Sequence, residues 1–592
     1  MRLDRRSLLT ATATLALLGV APPLMASSSR FRRVRPGDPG WPDAKAWQSL
    51  NDAVGGNLIR PEPLFAPCVR DATGAACQAL TKNSHNPFFI GDQPSGTQVS
   101  GWYDAWTPAP SAFAVKARNA ADVAAAVNFA RENNLRLVVK GAAHSYLGTS
   151  NAPDSLLIWT RAMNHVELHD AFVPQNCQGM AGVPAVSAGS GAVWADLYNA
   201  VTTEAGRYVQ GGGCTDVGVA GLVQSGGFGS FSKGFGTAAS NLLEAEIVTA
   251  DGHVRVCNAR TEPELFWALK GGGGGSWGVV TRLSLRTHQL PENLGGAGGE
   301  IKATSDEAFR RLITLFIAHY RTNLLNPHWG EQASFAPGNT LKLSFACQGL
   351  TREEAKATWQ LFFDAIVAAP SDFKVTDSLG AGARNSRDYW AVPNNRSMTA
   401  DTRPGAPSHH GWWKGDQGQV GAYLHGYDSL WLPAALLDPG DALADALFQA
   451  SRFKEVELHF NKGLAGAPAA AIAATRDTAT NPAVVDAFAL AIIADGEAPA
   501  YPDQRSPDLD AARKDADLIA KSAAALRRIA PDQGSYVSES NFFNKRWQAD
   551  YWGPNYPRLQ AVKAKYDPDG LFFVHHGVGC EAWSADGFTR LA

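Results

Sequence analysis

Two nucleophilic side chains of this sequence lie inside glycine-rich loops. Cys214 sits among ten glycines in GGGCTDVGVAGLVQSGGFGSFSKGFG, residues 211–236, and His144 sits in GAAHSYLGTS, residues 141–150. Glycine loses more conformational entropy on folding than any other residue, so a run this dense implies close approach of backbone to something. The candidates are a phosphate, a flat cofactor ring or another chain. Successive backbone N–H groups in such loops form a concavity suited to a pyrophosphate, and a thiol there would lie against whatever the loop cradles. Taken singly, each residue also has an ordinary reading: a hydrogen-bonding loop histidine and a small buried thiol.

Other motifs fail on context. Gly273, Gly275 and Gly278 satisfy G-x-G-x-x-G, but a dinucleotide fingerprint needs strand, turn and helix in that order. Here a helical stretch, EPELFWALK (262–270), precedes the glycines and a strand, VVTRLSLRT (279–287), follows them. Ser276 fits G-x-S-x-G yet lacks the strand-to-helix elbow that a hydrolase nucleophile requires. The doublets His409-His410 and His575-His576 suggest a metal, but adjacent histidines diverge on a regular backbone and no Cys or carboxylate pattern supports them. No metal site is expected.

The elements that must position the two loops are legible. FAVKARN (113–119) reads as a strand, AADVAAAVNFARENN (120–134) as a helix with Val123, Val127 and Ala130 on one face, and LRLVVK (135–140) as a second strand. This β-α-β unit delivers the His144 loop at the end of its last strand. LLEAEIVTADGHVRVC (242–257) reads as a hairpin turning at Asp251-Gly252. From 295 to about 535, helical stretches such as 306–322 and 352–369 alternate with strands such as 341–347 and 455–460, the texture of a second domain.

The chain has 592 residues, 45% hydrophobic and 18% charged, with net charge −3. That length suggests more than one domain, and that charge carries no footprint for nucleic acid. At the N-terminus, Asp4-Arg5-Arg6-Ser7-Leu8-Leu9 precedes an apolar stretch from Ala11 to Ala26. This reads as a signal peptide of the bacterial twin-arginine (Tat) export type, predicting a periplasmic or secreted protein with no membrane association in the mature form. Of seven cysteines, Cys68 and Cys77 are expected to pair. Cys177, Cys257, Cys347 and Cys580 either pair or stay buried, and Cys214 is the one with another use.

KGAAHSYLG (140–148), GGGCTDVGVAGL (211–222), GGGGGSWGVVT (271–281) and YWGPNYPRLQAVKAKYDPDGLF (551–572) together resemble the berberine-bridge-enzyme-like flavoproteins of the vanillyl-alcohol-oxidase superfamily. The resemblance spans 105–290 and 536–592. It implies an α+β protein in which a PCMH-type FAD-binding domain of two α/β subdomains joins a substrate domain with an antiparallel sheet covered by helices. The corresponding division is an export signal at 1–30, an N-terminal extension at 31–105, the FAD-binding domain at 106–290, the substrate domain at 291–535 and a returning C-terminal segment at 536–592. The resemblance also implies bicovalent FAD, with His144 joined to the flavin 8α-methyl and Cys214 joined through a thioether to ring carbon 6. Lys140, Gly141, Ala142, Ala143 and Ser145 around His144, and Gly213, Val217, Gly218, Gly221, Gly226 and Gly227 around Cys214, are the implied cradle, with Gly278 and Val279 from the third motif. Asn555 and Tyr556 match the family's closing Asn-Tyr. Two positions depart from the pattern: Lys140-Gly141-Ala142-Ala143 stands where Arg-Ser-Gly-Gly is commoner, and Trp277 where Phe is commoner. Alanine in a turn that needs positive φ would be strained.

The implied activity is hydride transfer from a substrate C–H to the flavin while a side chain takes the hydroxyl or amine proton. Alignment to the last motif makes Tyr551 the first choice of base and Tyr556 the second. Val217 falls at the family's oxygen gatekeeper, where valine resembles the oxidase type. Molecular oxygen is therefore the expected acceptor, with hydrogen peroxide as product. A dehydrogenase using a quinone or other carrier is the alternative, as is a flavin-binding protein without catalysis. The substrate is a small molecule, carbohydrate and phenolic classes both remaining open. Two stretches could line its pocket or serve as core: 409–431, dense in His, Trp and Tyr, and ELHFNKGLAG (457–466), with Glu457, His459 and Asn461 alternating along one strand face.

Overall fold

The computed structural model describes residues 31–591, so the stretch read as an export signal lies outside the described residues. Three larger sheets and a two-stranded one organise the described residues. In the first, Phe113–Lys116 and Arg136–Lys140 both run parallel to Ser155–Trp159, which lies between them. The helix Ala120–Glu132 makes the crossover: the Asn119 side chain accepts from the Asp122 amide at 2.9 Å, and Val123, Ala126, Val127 and Ala130 are buried against the strands. Every residue of Ser155–Trp159 is buried, as expected for a strand covered on both faces.

The second sheet is antiparallel, ordered Val166–Phe172, Val183–Gly189, Val279–Gln289, Leu242–Val248, Val254–Asn258, with Arg207–Val209 on the far end of Val279–Gln289. The expected hairpin is present, Val248 opposite Val254. The third sheet has seven antiparallel strands, from Phe373–Asn385 at one edge to Tyr423–Pro433 at the other. The helices Asp306–His319, Arg352–Val367, Asp441–Ser451 and Leu509–Arg527 cover it and build the largest apolar core. The architecture is thus α+β, with a helix-covered antiparallel sheet.

Residues 31–105 carry the short helices Ala44–Ala53, Ala66–Arg70, Ala75–Asn83 and Pro87–Gly91. Their order comes from tertiary contacts. Trp47 of the helix Ala44–Ala53 stacks on Phe113 at 3.8 Å, while Phe65, Leu80 and Ile90 pack with Val420 and Tyr501. The Cys68–Cys77 disulfide is formed. No described helix is long and apolar enough to cross a membrane.

The chain's end returns to the second sheet. Helix Tyr556–Tyr566 packs into the core that holds Trp277 and the helix Pro263–Leu269. Lys563 Nζ donates to the Ser276 and Phe572 carbonyls at 2.7 and 2.8 Å, and Trp552 Nε1 to the Gly271 carbonyl at 3.0 Å. The glycine loop 271–278 is thereby held from the C-terminal segment. Gly278 itself has φ +149°, and a Cβ there would lie 2.4 Å from the Val248 carbonyl oxygen, so only glycine lets the loop enter the strand.

Candidate active site

A cavity of about 310 Å³ runs between the first two sheets and the C-terminal segment. His144 and Cys214 both line it, the first from the loop after Arg136–Lys140, the second from the glycine loop after Arg207–Val209. Gly141, Ala142, Ala143, Ser145, Val217, Gly218, Gly221 and Gly278 also line it. The loop turns at Ala143, whose φ of +67° puts an alanine in the left-handed region at a cost of about 1 kcal/mol.

Other expected contacts fall outside the cavity wall. Lys140 points the opposite way, its ammonium buried and bonded to the Gln93 and Gly96 carbonyls at 2.7 and 3.3 Å and to that of Pro94. Burial brings its pKa down to about 7. Gly213, Gly226, Gly227 and Val279 are not part of the wall, and Asn555 donates to the Thr480 carbonyl at 3.1 Å.

The two tyrosines chosen as base are also displaced. Tyr556 donates to Glu581 at 2.7 Å, away from the cavity. The buried Tyr551 hydroxyl shares a hydrogen bond with Ser540 Oγ at 2.7 Å and approaches His576 Nδ1 at 3.3 Å, and it is His576 that lines the cavity. Helix Trp547–Trp552 ends with Trp552 on the wall and turns Tyr551 into the core behind it. Burial brings His576 down to about 3, so it is neutral.

The structure supplies groups that the motifs did not single out. Asp216 bonds to His144 Nε2, which leaves Nδ1 as the other ring nitrogen. Asp416, some two hundred positions on, lies close enough to Cys214 for the two groups to shift each other's titration. Burial, with help from Asp216, raises Asp416 to about 6; burial and the two carboxylates raise the thiol well above its ordinary range. Glu539 pairs with Lys462, both on the wall, as are Tyr146 and Tyr536. Burial raises both tyrosines, and the Glu539 charge adds to the effect. Signals for Asp216 and Tyr146 were present, two residues after Cys214 and His144; Asp416 and Lys462 lie inside the two stretches singled out for a pocket, 409–431 and 457–466, without being chosen there, and Glu539 had no signal. In ELHFNKGLAG the wall residue is Lys462, whereas Glu457 and His459 pair with each other at 3.0 Å and Asn461 falls in a turn beyond the strand's end at His459.

The Asp416 shift has a consequence for stability. Its folded-state carboxyl holds a proton more tightly than an ordinary one, so its contribution is fullest below about pH 4 and is lost as pH rises through about 6. Asp416→Asn is expected to flatten that decline by on the order of 1–3 kcal/mol. Thermal unfolding of both proteins from pH 4 to 7 measures it; parallel curves would remove the assigned shift.

The cavity fits a flavin nucleotide on its own features. Ser190 Oγ and Gln224 Oε1 lie buried on the wall without a partner. A Cβ on Gly221 would meet no protein atom within 4 Å, so that position is open toward the space enclosed. Two family comparisons agree: residues 111–258 match the family described as "FAD binding domain", and 535–579 match "Berberine and berberine like". The chain is an FAD-linked oxidoreductase whose two matched segments resemble the berberine-bridge-enzyme-like flavoproteins.

The FAD-linked oxidoreductase ZEB1 of Gibberella zeae is 28% identical over 96% of each chain. The crystal structure of the VAO-type flavoprotein MtVAO615 from Myceliophthora thermophila superposes with TM-score 0.75, at 26% identity, over 95% of this chain and all of that one. Glucooligosaccharide oxidase from Acremonium strictum, described with a 6-S-cysteinyl, 8α-N1-histidyl FAD, shares the fold at TM-score 0.62 and 18% identity, over 90% of this chain and 99% of that one. Curated relatives from Gibberella, Malbranchea and Thermothelomyces are fungal, which overturns the expectation of bacterial twin-arginine export. The paired arginines near the N-terminus lack the context that gave them that meaning.

Proposed function

We propose that this FAD-linked oxidoreductase is an oxidase that holds its flavin at two points, through His144 and Cys214. The observation that carries the reading is the presence of both side chains on one cavity wall, each beside its own carboxylate. Asp216 on Nε2 keeps the imidazole oriented with Nδ1 free, and Asp416 is placed to take the thiol proton. The doubly linked FAD of the fold neighbour supports the same arrangement. Acid-precipitated protein is expected to stay yellow, with no free flavin in the supernatant.

When bound, FAD supplies a two-electron acceptor for hydride. The chain's task is to orient the substrate, exclude water and remove a proton. Glu539 is the one carboxylate among the described residues of the wall, and the neighbouring tyrosines are held protonated. The base is therefore assigned to Glu539, steadied by Lys462, and no longer to Tyr551 or Tyr556. The substrate is an alcohol, sugar or phenolic-type small molecule; the aromatic groups Tyr146, Phe228 and Tyr536 give its end of the cavity surfaces for stacking. Bleaching of the flavin under anaerobic conditions across sugars, benzylic alcohols and amines tests this reading, and failure of every class would sink it.

Val217 lines the cavity three residues after Cys214 and is assigned to admit oxygen, giving hydrogen peroxide. Val217→Leu is expected to slow re-oxidation by oxygen about tenfold or more, about 1.4 kcal/mol in barrier, while substrate still reduces the flavin at the original rate. Stopped-flow mixing of reduced protein with oxygen measures this, and an unaltered oxygen rate would refute the gatekeeper.

A further inference from the structure

The doublet His409-His410 does not diverge. It sits in a turn, free of the constraint a regular backbone imposes, and both Nε2 atoms reach Asp196 Oδ1, at 3.1 and 2.9 Å. The three ligand atoms lie within 4.8 Å of one another. Ligands about 2.0–2.1 Å from a tetrahedral zinc ion stand roughly 3.3 Å apart, so the two contacts to Asp196 need to open by a few tenths of an ångström, while the two imidazole nitrogens, within 4.8 Å of each other, settle to the same spacing. The donor set, two imidazoles and a carboxylate, is one zinc takes with an open fourth position.

The ligands are held in place before any ion arrives. Asp196 Oδ2 accepts from the Val193 amide at 3.0 Å, which leaves Oδ1 for the histidines. His410 is buried and stacks on Phe88 at 4.3 Å, while its Nδ1 is buried without a partner. His409 is 28% exposed, which gives the site a path to solvent. Arg161 and Arg403, near His410, are each ion-paired to Asp92, which mutes their repulsion of a cation.

We propose that Asp196, His409 and His410 form a binding site for a zinc-type divalent cation that clips two distant parts of the chain together. The segment they join lies directly against the Cys214 loop: Thr215 Oγ1 donates to the Gly411 carbonyl at 2.5 Å, and Trp413 Nε1 to the Gly213 carbonyl at 3.0 Å. An ion would fasten the hairpin Met398–Ala400/Gly411–Trp413 over that loop, adding a bond across a sequence gap of more than two hundred residues. The site is separate from the flavin cavity and does not depend on the flavin linkage.

The test uses full-length, tag-free protein stripped with chelator, then titrated with zinc chloride and desalted. Roughly one zinc per chain is expected by mass spectrometry, with a rise in thermal midpoint of about 2 °C or more at saturating zinc. His409→Ala, at a partly exposed position, should retain less than about a fifth of that zinc and lose the thermal response. His253→Ala, which removes an exposed histidine paired with Asp251, should behave as the parent. Equal zinc in the parent and His409→Ala, or none in the parent, would overturn the proposal.

Discussion

Glu539→Gln is expected to slow flavin reduction by substrate some hundred- to ten-thousand-fold, the usual contribution of a positioned general base, or about 3–5 kcal/mol in barrier. Glutamine keeps the shape of the side chain and removes its basicity. The bound flavin and its links should be unaffected, because Glu539 pairs with Lys462 rather than with the His144 or Cys214 groups. Leaving the Lys462 ammonium without its partner carries its own cost, so Glu539→Gln/Lys462→Met, measured beside it, separates lost chemistry from lost pairing. A fall confined to the reductive step in both, with the acid limb of the kcat/KM profile gone, fits a base. Reduction of Glu539→Gln at the parent rate would refute the assignment of the base to Glu539.

Removing both tethers should have the largest effect on the cofactor. His144→Ala and Cys214→Ala, made singly, are each expected to keep the flavin in the acid pellet; together they should release almost all of it to the supernatant. The intact mass of each single variant should still exceed that of the bare chain by one FAD. Asp216→Asn refines the test, because it weakens the partner of His144 Nε2 without touching the thiol. Peptide mapping of that variant should find flavin on the Cys214 peptide and little on the His144 peptide. Flavin released by acid from the parent chain would refute both links at once.

Some of this was settled along the chain. The crossover helix, the hairpin at Asp251-Gly252, the Cys68–Cys77 pairing and the order of the four glycine motifs depend on neighbours a few residues apart. Capping, turn chemistry and apolar spacing report those directly. The motif spacing also sufficed to single out His144 and Cys214, which the folded chain brings to one cavity.

What the tertiary structure alone decided is which groups from far positions meet there. Ser155–Trp159 inserts between the strands of the crossover unit, Asp416 arrives beside Cys214, Lys462 meets Glu539, and His409 and His410 meet on Asp196. Tyr551, chosen by motif position, is turned into the core while Trp552 takes the wall. Propensity and periodicity describe a residue's own helix or strand. Sheet register and loop packing choose its partners across hundreds of residues, and no local pattern carries that information.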